Sequence, residues 1–229
     1  MKSIEMLAEV AKGLGPLREK VVFVGGSTVA LYLTDAAAQW IRPTEDVDCV
    51  IELVTRAEYY KLEDQLRKLG FQHAAEANEP ICRWRYHGLT ADIMPTEGSV
   101  LDFKNKWYPD GYTNSEDVKL PGGQTIRIFS LPYFLASKIE AFQDRGHGDF
   151  LCSSDMEDII AVLDGAENVA EKVIKAPKPV KSYLQNKFIS FLSDERFLES
   201  LEGNLVSPAK SSGRVIMVKT MLEKITGGK

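Results

Sequence analysis

The 229-residue chain carries only three cysteines and three histidines, and neither type is grouped in the way that metal or redox sites require. Cys49, Cys82 and Cys152 show no Cys-x-x-Cys spacing and no histidine companions. That excludes a zinc ribbon or a disulfide frame and predicts reduced thiols in a cytoplasmic protein. No stretch is apolar over a membrane-spanning length, so no membrane partner is expected. Residues 1–14 place Ile4, Leu7, Ala11 and Leu14 at helical spacing, but Glu5 and Glu9 interrupt them, which does not resemble a signal peptide. An excess of positive charge is also missing. The net charge of −5 argues against broad affinity for nucleic-acid backbone, although it leaves local contact with RNA open. Repeats and low-complexity tracts are absent. The 44% of apolar residues supplies a core for one two-lobed domain or two small ones.

Against this plain background, Gly25-Gly26-Ser27 follows the apolar run Val21-Val22-Phe23-Val24, and Asp46-Val47-Asp48 comes later at helix-length distance. The run reads as a buried strand ending at the glycines, and residues 27–33 suit a helix packed on it. Backbone N–H groups of Gly26, Ser27 and Thr28 would then face outward at a helix N-terminus, a site for phosphate oxygens. Residues 46–51 alternate sharply, which puts Asp46, Asp48 and Val50 on one strand face and Val47, Cys49 and Ile51 on the other. Two carboxylates so close repel, and Mg2+ is the cation suited to them. An exposed strand edge, where Asp46 and Asp48 only discourage pairing with another edge, is the plainer alternative.

A third carboxylate emerges from residues 81–86 and 89–94, separated by His87-Gly88. A two-residue turn makes these a hairpin in which Tyr86 opposes Leu89, Arg85 opposes Thr90, Trp84 opposes Ala91 and Arg83 opposes Asp92. Asp is depleted in strands, so Asp92 requires a cause. A cross-strand ion pair with Arg83 is the ordinary one; if this strand lies beside the Asp46 strand, three carboxylates converge instead.

Farther along, Ser130 can cap a helix that tolerates Pro132 in its first turn. Leu135, Ile139 and Phe142 form its apolar stripe, with Lys138 and Arg145 on another face, where solvated cations are the plain reading. Ser154 with Glu157 fits a capping box for a helix reaching Asp164-Gly165. Asp155 in its first turn has a structural task toward the helix dipole, which leaves Asp158 as the better acidic candidate. His147, between Gly146 and Gly148, reads as a loop residue. Residues 59–69 read as a helix stopped by Gly70. Pro109-Asp110-Gly111 and Pro121-Gly122-Gly123 read as turns, residues 170–179 as a connection, and residues 180–192 and 214–225 as helices. Arg83, Arg85, Lys104, Lys106 and Lys119, interleaved with Trp84, Trp107 and Tyr108, could meet RNA; the same tryptophans could equally be core.

Gly26-Ser27, Asp46-x-Asp48 and Asp92, taken in order, resemble the polymerase-β-like nucleotidyltransferases. The segments Ser130-Leu-Pro-Tyr-Phe-Leu-Ala-Ser-Lys138 and Ser154-Asp155-Met-Glu-Asp158 are similar to those of the AbiEii/AbiGii-type abortive-infection toxins of that superfamily. The similarity runs from about Phe23 to the C-terminal helices, and the insert between Ser27 and Asp46, including residues 35–40, departs from the compact pattern. The resemblance implies an α+β fold with a mixed sheet, in which residues 1–128 form the nucleotidyltransferase α/β core and residues 129–229 a helical domain completing the active site. It implies catalysis by Asp46, Asp48, Asp92, Lys138 and Asp158, with Mg2+ on the first three. It also implies NTP binding by Gly25, Gly26, Ser27, Arg42, Lys138 and Arg145. The expected reaction moves an NMP from an NTP to an acceptor hydroxyl. The expected role is a toxin of a toxin–antitoxin pair, acting on tRNA or other RNA and partnered by an antitoxin. Nucleotidylation of a small molecule or a protein, and a noncatalytic nucleotide-binding role, remain alternatives.

Overall fold

The computed structural model describes residues 2–35, 41–74, 79–101, 105–146, 148–205 and 213–228. The chain divides into two compact units, Met1–Leu31 with Pro43–Ser130, and Tyr32–Arg42 with Leu131–Lys229.

In the first unit, helix α1 (Ser3–Gly13) buries Met6, Leu7, Val10 and Ala11, one apolar face of a 3.6-residue period. A tight helical segment, Gly15–Lys20, leads to strand β1 (Val21–Val24), buried along its whole length. Beyond it the expected helix over residues 27–33 is shorter: a 3-10 turn, Gly26–Thr28, precedes a single turn of α-helix, α2 (Val29–Tyr32). Strand β2 (Asp46–Ile51) has the predicted bounds. Helix α3 (Arg56–Lys68) starts three residues before the expected residue 59, because Thr55 and Glu58 close a reciprocal capping box. It ends before Gly70, whose φ of 91° is the left-handed conformation glycine adopts without strain.

Strands β3 (Gln72–His73), β4 (Arg83–Tyr86) and β5 (Leu89–Pro95) follow. The β4–β5 register is the predicted one, Arg83 opposite Asp92 through Tyr86 opposite Leu89. His87 and Gly88 both have positive φ, 47° and 81°, as a tight two-residue hairpin turn demands. After α4 (Gly98–Leu101) the chain forms α5 (Tyr108–Thr113), so Pro109-Asp110-Gly111 lies in a helix and not in the expected turn. Pro109 sits in the first turn of α5, where a missing N–H costs nothing. Strands β6 (Ser115–Lys119) and β7 (Thr125–Phe129) pair across the predicted Pro121-Gly122-Gly123 turn, with Gly123 at φ 85°.

The sheet order is β3-β4-β5-β2-β1-β7-β6. It is mixed: β2 runs parallel to β5 and β1 parallel to β7, while β1 and β2 are antiparallel. Val22, Phe23, Val47, Cys49, Trp84 and Ile93 are buried in this unit.

The second unit is helical: α6 (Leu131–Arg145), α7 (Ser154–Gly165), α8 (Val169–Lys175), α9 (Lys178–Leu192), α10 (Glu195–Leu205) and α11 (Gly213–Thr226). The expected connection over residues 170–179 is largely helix. Pro177 caps α9 and Pro179 lies in its first turn, so these prolines begin a helix. The cap of α7 is Ser153, whose hydroxyl accepts from the Met156 N–H, one residue earlier than the expected Ser154. Phe142, Phe150, Phe191 and Phe197 form an aromatic centre, with ring centroids 4.9 Å apart for Phe142–Phe150 and 5.1 Å for Phe191–Phe197. No described helix is long and apolar enough to cross a membrane.

Candidate active site

Strand pairing assembles the acidic group. In the parallel β2–β5 ladder Asp46 aligns with Thr90 and Asp48 with Asp92, so Asp48 and Asp92 stand side by side. Asp46 shares their face because strand side chains alternate with a period of two. Ligand oxygens of Asp46, Asp48 and Asp92 lie within 4.8 Å of one another. At that spacing each pair of ionised carboxylates repels by about 3 kcal/mol at the effective dielectric of a protein site. Nearby positive charge relieves that repulsion, and three hard oxygen donors on one face could hold a divalent metal ion.

Gly25 closes the other side. Val24, the last residue of β1, pairs with Asp48, and the chain then turns at Gly25 with φ 74° and ψ −168°. A Cβ at residue 25 would lie 1.9 Å from Asp48 Oδ2. Backbone conformation and steric room both demand glycine there. The turn beyond is partly spent on itself, contrary to the outward-facing donors expected of all three residues. The Thr28 N–H and hydroxyl both donate to the Gly25 carbonyl, at 3.2 and 2.8 Å, and Ser27 is wholly buried.

Arg83 brings positive charge to the triad in this structure. Its Nε and Nη2 donate to the two Asp92 oxygens at 2.8 and 2.7 Å, and Nη2 lies 3.7 Å from Asp46 Oδ2. Glu79 holds the far side of the fork, 3.0 Å from Arg83 Nη1, and also binds Arg85 at 2.7 Å. The hydrogen bonds that Arg83 donates to Asp92 raise its pKa above the ordinary value, against burial. Both causes considered for Asp92 thus coexist: it pairs with Arg83 across the hairpin and joins the carboxylate cluster. Glu79 had no signal in the sequence, because its partners are fixed by the fold of the hairpin. Burial pushes the Cys49 thiol well up, reinforced by the charges of Asp48 and Asp92, and pushes Cys82 up to about 12.

The helical unit holds a second charged group. Lys138 is buried, with Nζ 2.9 Å from Asp155 and 2.6 Å from Asp158. Arg145 donates to both oxygens of Asp155 at 2.8 and 2.9 Å. Arg42 donates to both oxygens of Asp158 at 3.1 and 3.2 Å. Burial works to lower the Lys138 pKa, but Asp158 and Asp155 outweigh it and the ammonium is raised above its ordinary value. Burial likewise works to raise Asp155; the Arg145 bonds and the Lys138 charge overcome it and hold the carboxyl down to about 2. Lys138 and Asp158 therefore meet, as do Arg42 and Asp158. Asp155 is a partner of Lys138 and Arg145 in addition to its place in the first turn of α7.

Trp84 is wholly buried and Trp107 and Tyr108 nearly so, so the aromatic part of the expected RNA surface is core. Lys104, His147 and residues 36–40 of the insert lie outside the described residues.

No family model matches the chain, and no curated protein matches it. Among solved structures, the chain is similar to the solution structure of the antibiotic-resistance factor ANT(2'')-Ia. The TM-score is 0.50 at 14% identity, covering 84% of this chain and 97% of that one. JHP933 from Helicobacter pylori matches with a TM-score of 0.49 at 11% identity, over 97% of this chain and 90% of that one. The likeness to ANT(2'')-Ia is one of fold, and it agrees with the α+β architecture of a seven-stranded mixed sheet with the helices that follow it.

Proposed function

We propose that the protein is a Mg2+-dependent nucleotidyltransferase that moves an NMP from an NTP to an acceptor hydroxyl and releases pyrophosphate. The observation that carries the reading is the ladder setting Asp48 beside Asp92, with Asp46 on the same face and Gly25 pressed against Asp48. Asp46, Asp48 and Asp92 would hold the ion, which when bound supplies charge neutralisation at the reacting phosphate and the leaving pyrophosphate. Gly25, Gly26 and Ser27 are assigned to the triphosphate, because a glycine backbone beside the carboxylates lets phosphate oxygens approach closely. Arg42, Lys138 and Arg145 are assigned the positive charge a triphosphate needs. Since Lys138 is committed to Asp155 and Asp158, its first task is to hold both carboxylates in place. Asp158, fixed by Arg42 and Lys138, is assigned to orient or deprotonate the acceptor hydroxyl. In this reading residues 1–128 are the nucleotidyltransferase α/β core, and residues 129–229 are a helical domain that completes the active site.

The acceptor we assign first is the 3′ end of tRNA or another RNA, and the role that of a toxin paired with an antitoxin. Support comes from the order of Lys138, Arg145 and Asp158 behind the three aspartates. A small-molecule hydroxyl is the second reading, favoured by the likeness in fold to an antibiotic-resistance factor. The test is incubation with Mg2+, each α-32P-labelled NTP and a cell extract, followed by separation of RNA, protein and small molecules. Label in RNA that disappears in Asp48→Asn supports the first reading, and label in small molecules the second. Undiminished label in Asp48→Asn would remove the carboxylate site from the mechanism.

A further inference from the structure

We infer that Arg83 is a resident counter-ion of the carboxylate triad, and that it competes with the divalent metal ion for Asp92. The inference rests on the metal reading proposed above and assigns its regulation to one side chain.

Arg83 grips Asp92 by both oxygens and stands 3.7 Å from Asp46, so its charge sits where a metal's charge would act. Glu79 anchors the guanidinium from the opposite side, which keeps it from swinging out into solvent as an ordinary surface arginine does. The Arg83 side chain is 25% exposed and the Asp92 side chain 11%, so solvent screens their interaction only in part. Arg85 is a built-in contrast. It is two residues away on the same strand face, but it bonds Glu79 and Thr90 and none of the three aspartates.

Two consequences follow. Without nucleotide, the triad is already partly neutralised, so it holds a divalent ion weakly. A triphosphate adds negative charge and oxygen ligands, and this tips the competition from Arg83 to the metal. Metal and nucleotide thus bind with positive coupling, and the protein avoids carrying a tightly held metal ion while it has no substrate.

The experiment is Mn2+ binding to the full-length protein, followed by the loss of the free-ion electron paramagnetic resonance signal, with and without a nonhydrolysable NTP analogue. Wild type is expected to bind Mn2+ weakly alone and more tightly with the analogue. Arg83→Gln is expected to bind Mn2+ alone at least about tenfold more tightly, as removal of one adjacent positive charge implies. Arg85→Gln is expected to leave Mn2+ affinity within about twofold of wild type, since its charge is not held on the triad. Unchanged or weaker Mn2+ binding by Arg83→Gln would overturn the inference while leaving the metal site intact. Wild type that binds no Mn2+ in either condition, or an Asp48→Asn variant that binds as wild type does, would instead overturn the metal reading and the inference with it. Should Arg83→Gln fail to fold, Glu79→Gln/Arg83→Gln, which also removes the carboxylate left with Arg85 alone, carries the same expectation. Failure of both to fold would make Arg83 a structural residue and end the proposal.

Discussion

Gly25 controls Asp48 by having no side chain. Alanine there would need both a left-handed φ and room that Asp48 Oδ2 already occupies. Gly25→Ala is expected to cost about 1–3 kcal/mol in stability and to displace the Asp48 carboxylate. Circular dichroism melting together with nucleotidyl transfer would show a folded protein with transfer lost; wild-type transfer by a folded variant would contradict this account. Asp48→Asn acts in the opposite sense on stability, because it removes one of three mutually repelling charges. Its melting temperature is expected to equal or exceed that of wild type in metal-free buffer, while transfer disappears. At this scale the sequence was informative wherever a local rule applies. Alternation put Asp46 and Asp48 on one face, and the Gly25-Gly26-Ser27 run announced a special turn. The rule failed for Glu79, which lies outside any regular element and meets Arg83 and Arg85 only once the hairpin has formed.

Helices α6 and α7 are joined by the buried Lys138 and its two aspartates, in addition to their apolar contacts. Removing one partner leaves buried charge without compensation, so Lys138→Met is expected to destabilise by about 3–5 kcal/mol in denaturant titration. A loss below about 1 kcal/mol would show that solvent or Arg42 and Arg145 carry the aspartates unaided. The same group predicts an acid limb. The folded Asp155 pKa of about 2 lies below its ordinary value of 3.8, so its stabilisation is present above the ordinary value and is lost as pH falls through the folded one. The loss therefore falls between about pH 4 and pH 2 and amounts to about 2 kcal/mol. Asp155→Asn is expected to flatten that limb of a pH-stability curve; an unchanged limb would assign acid sensitivity elsewhere. Lys138, raised in the fold, contributes stability present below its ordinary pKa and lost only as pH rises through the higher folded one. The sequence showed α6 and α7 through caps and periodicity, yet it could not show that the polar residues on their facing sides point inward.

Across the whole molecule, burial separates the three thiols: Cys49 and Cys82 are buried and Cys152 is exposed. A thiol reagent at neutral pH is expected to modify one cysteine per native chain and all three after denaturation; rapid native modification of Cys49 would contradict a closed sheet. Elements whose cause is local were legible in the residues alone: the period-two strands, the hairpin turn at His87-Gly88 and the capped helices. The sequence also marked the three aspartates as candidates, since acids are rare on buried strands. It misread Pro109, Pro177 and Pro179, because a proline that opens a helix and one that marks a loop look alike until the following residues find something to pack on. That β2 and β5 run parallel, in the register that sets Asp48 beside Asp92, emerged from the folded sheet. The fold alone decided that Arg83 reaches Asp46 as well as Asp92 and that Lys138 is enclosed by two carboxylates. The physical reason is that strand order, register and burial are settled by how distant faces exclude water together, which no short window of sequence encodes.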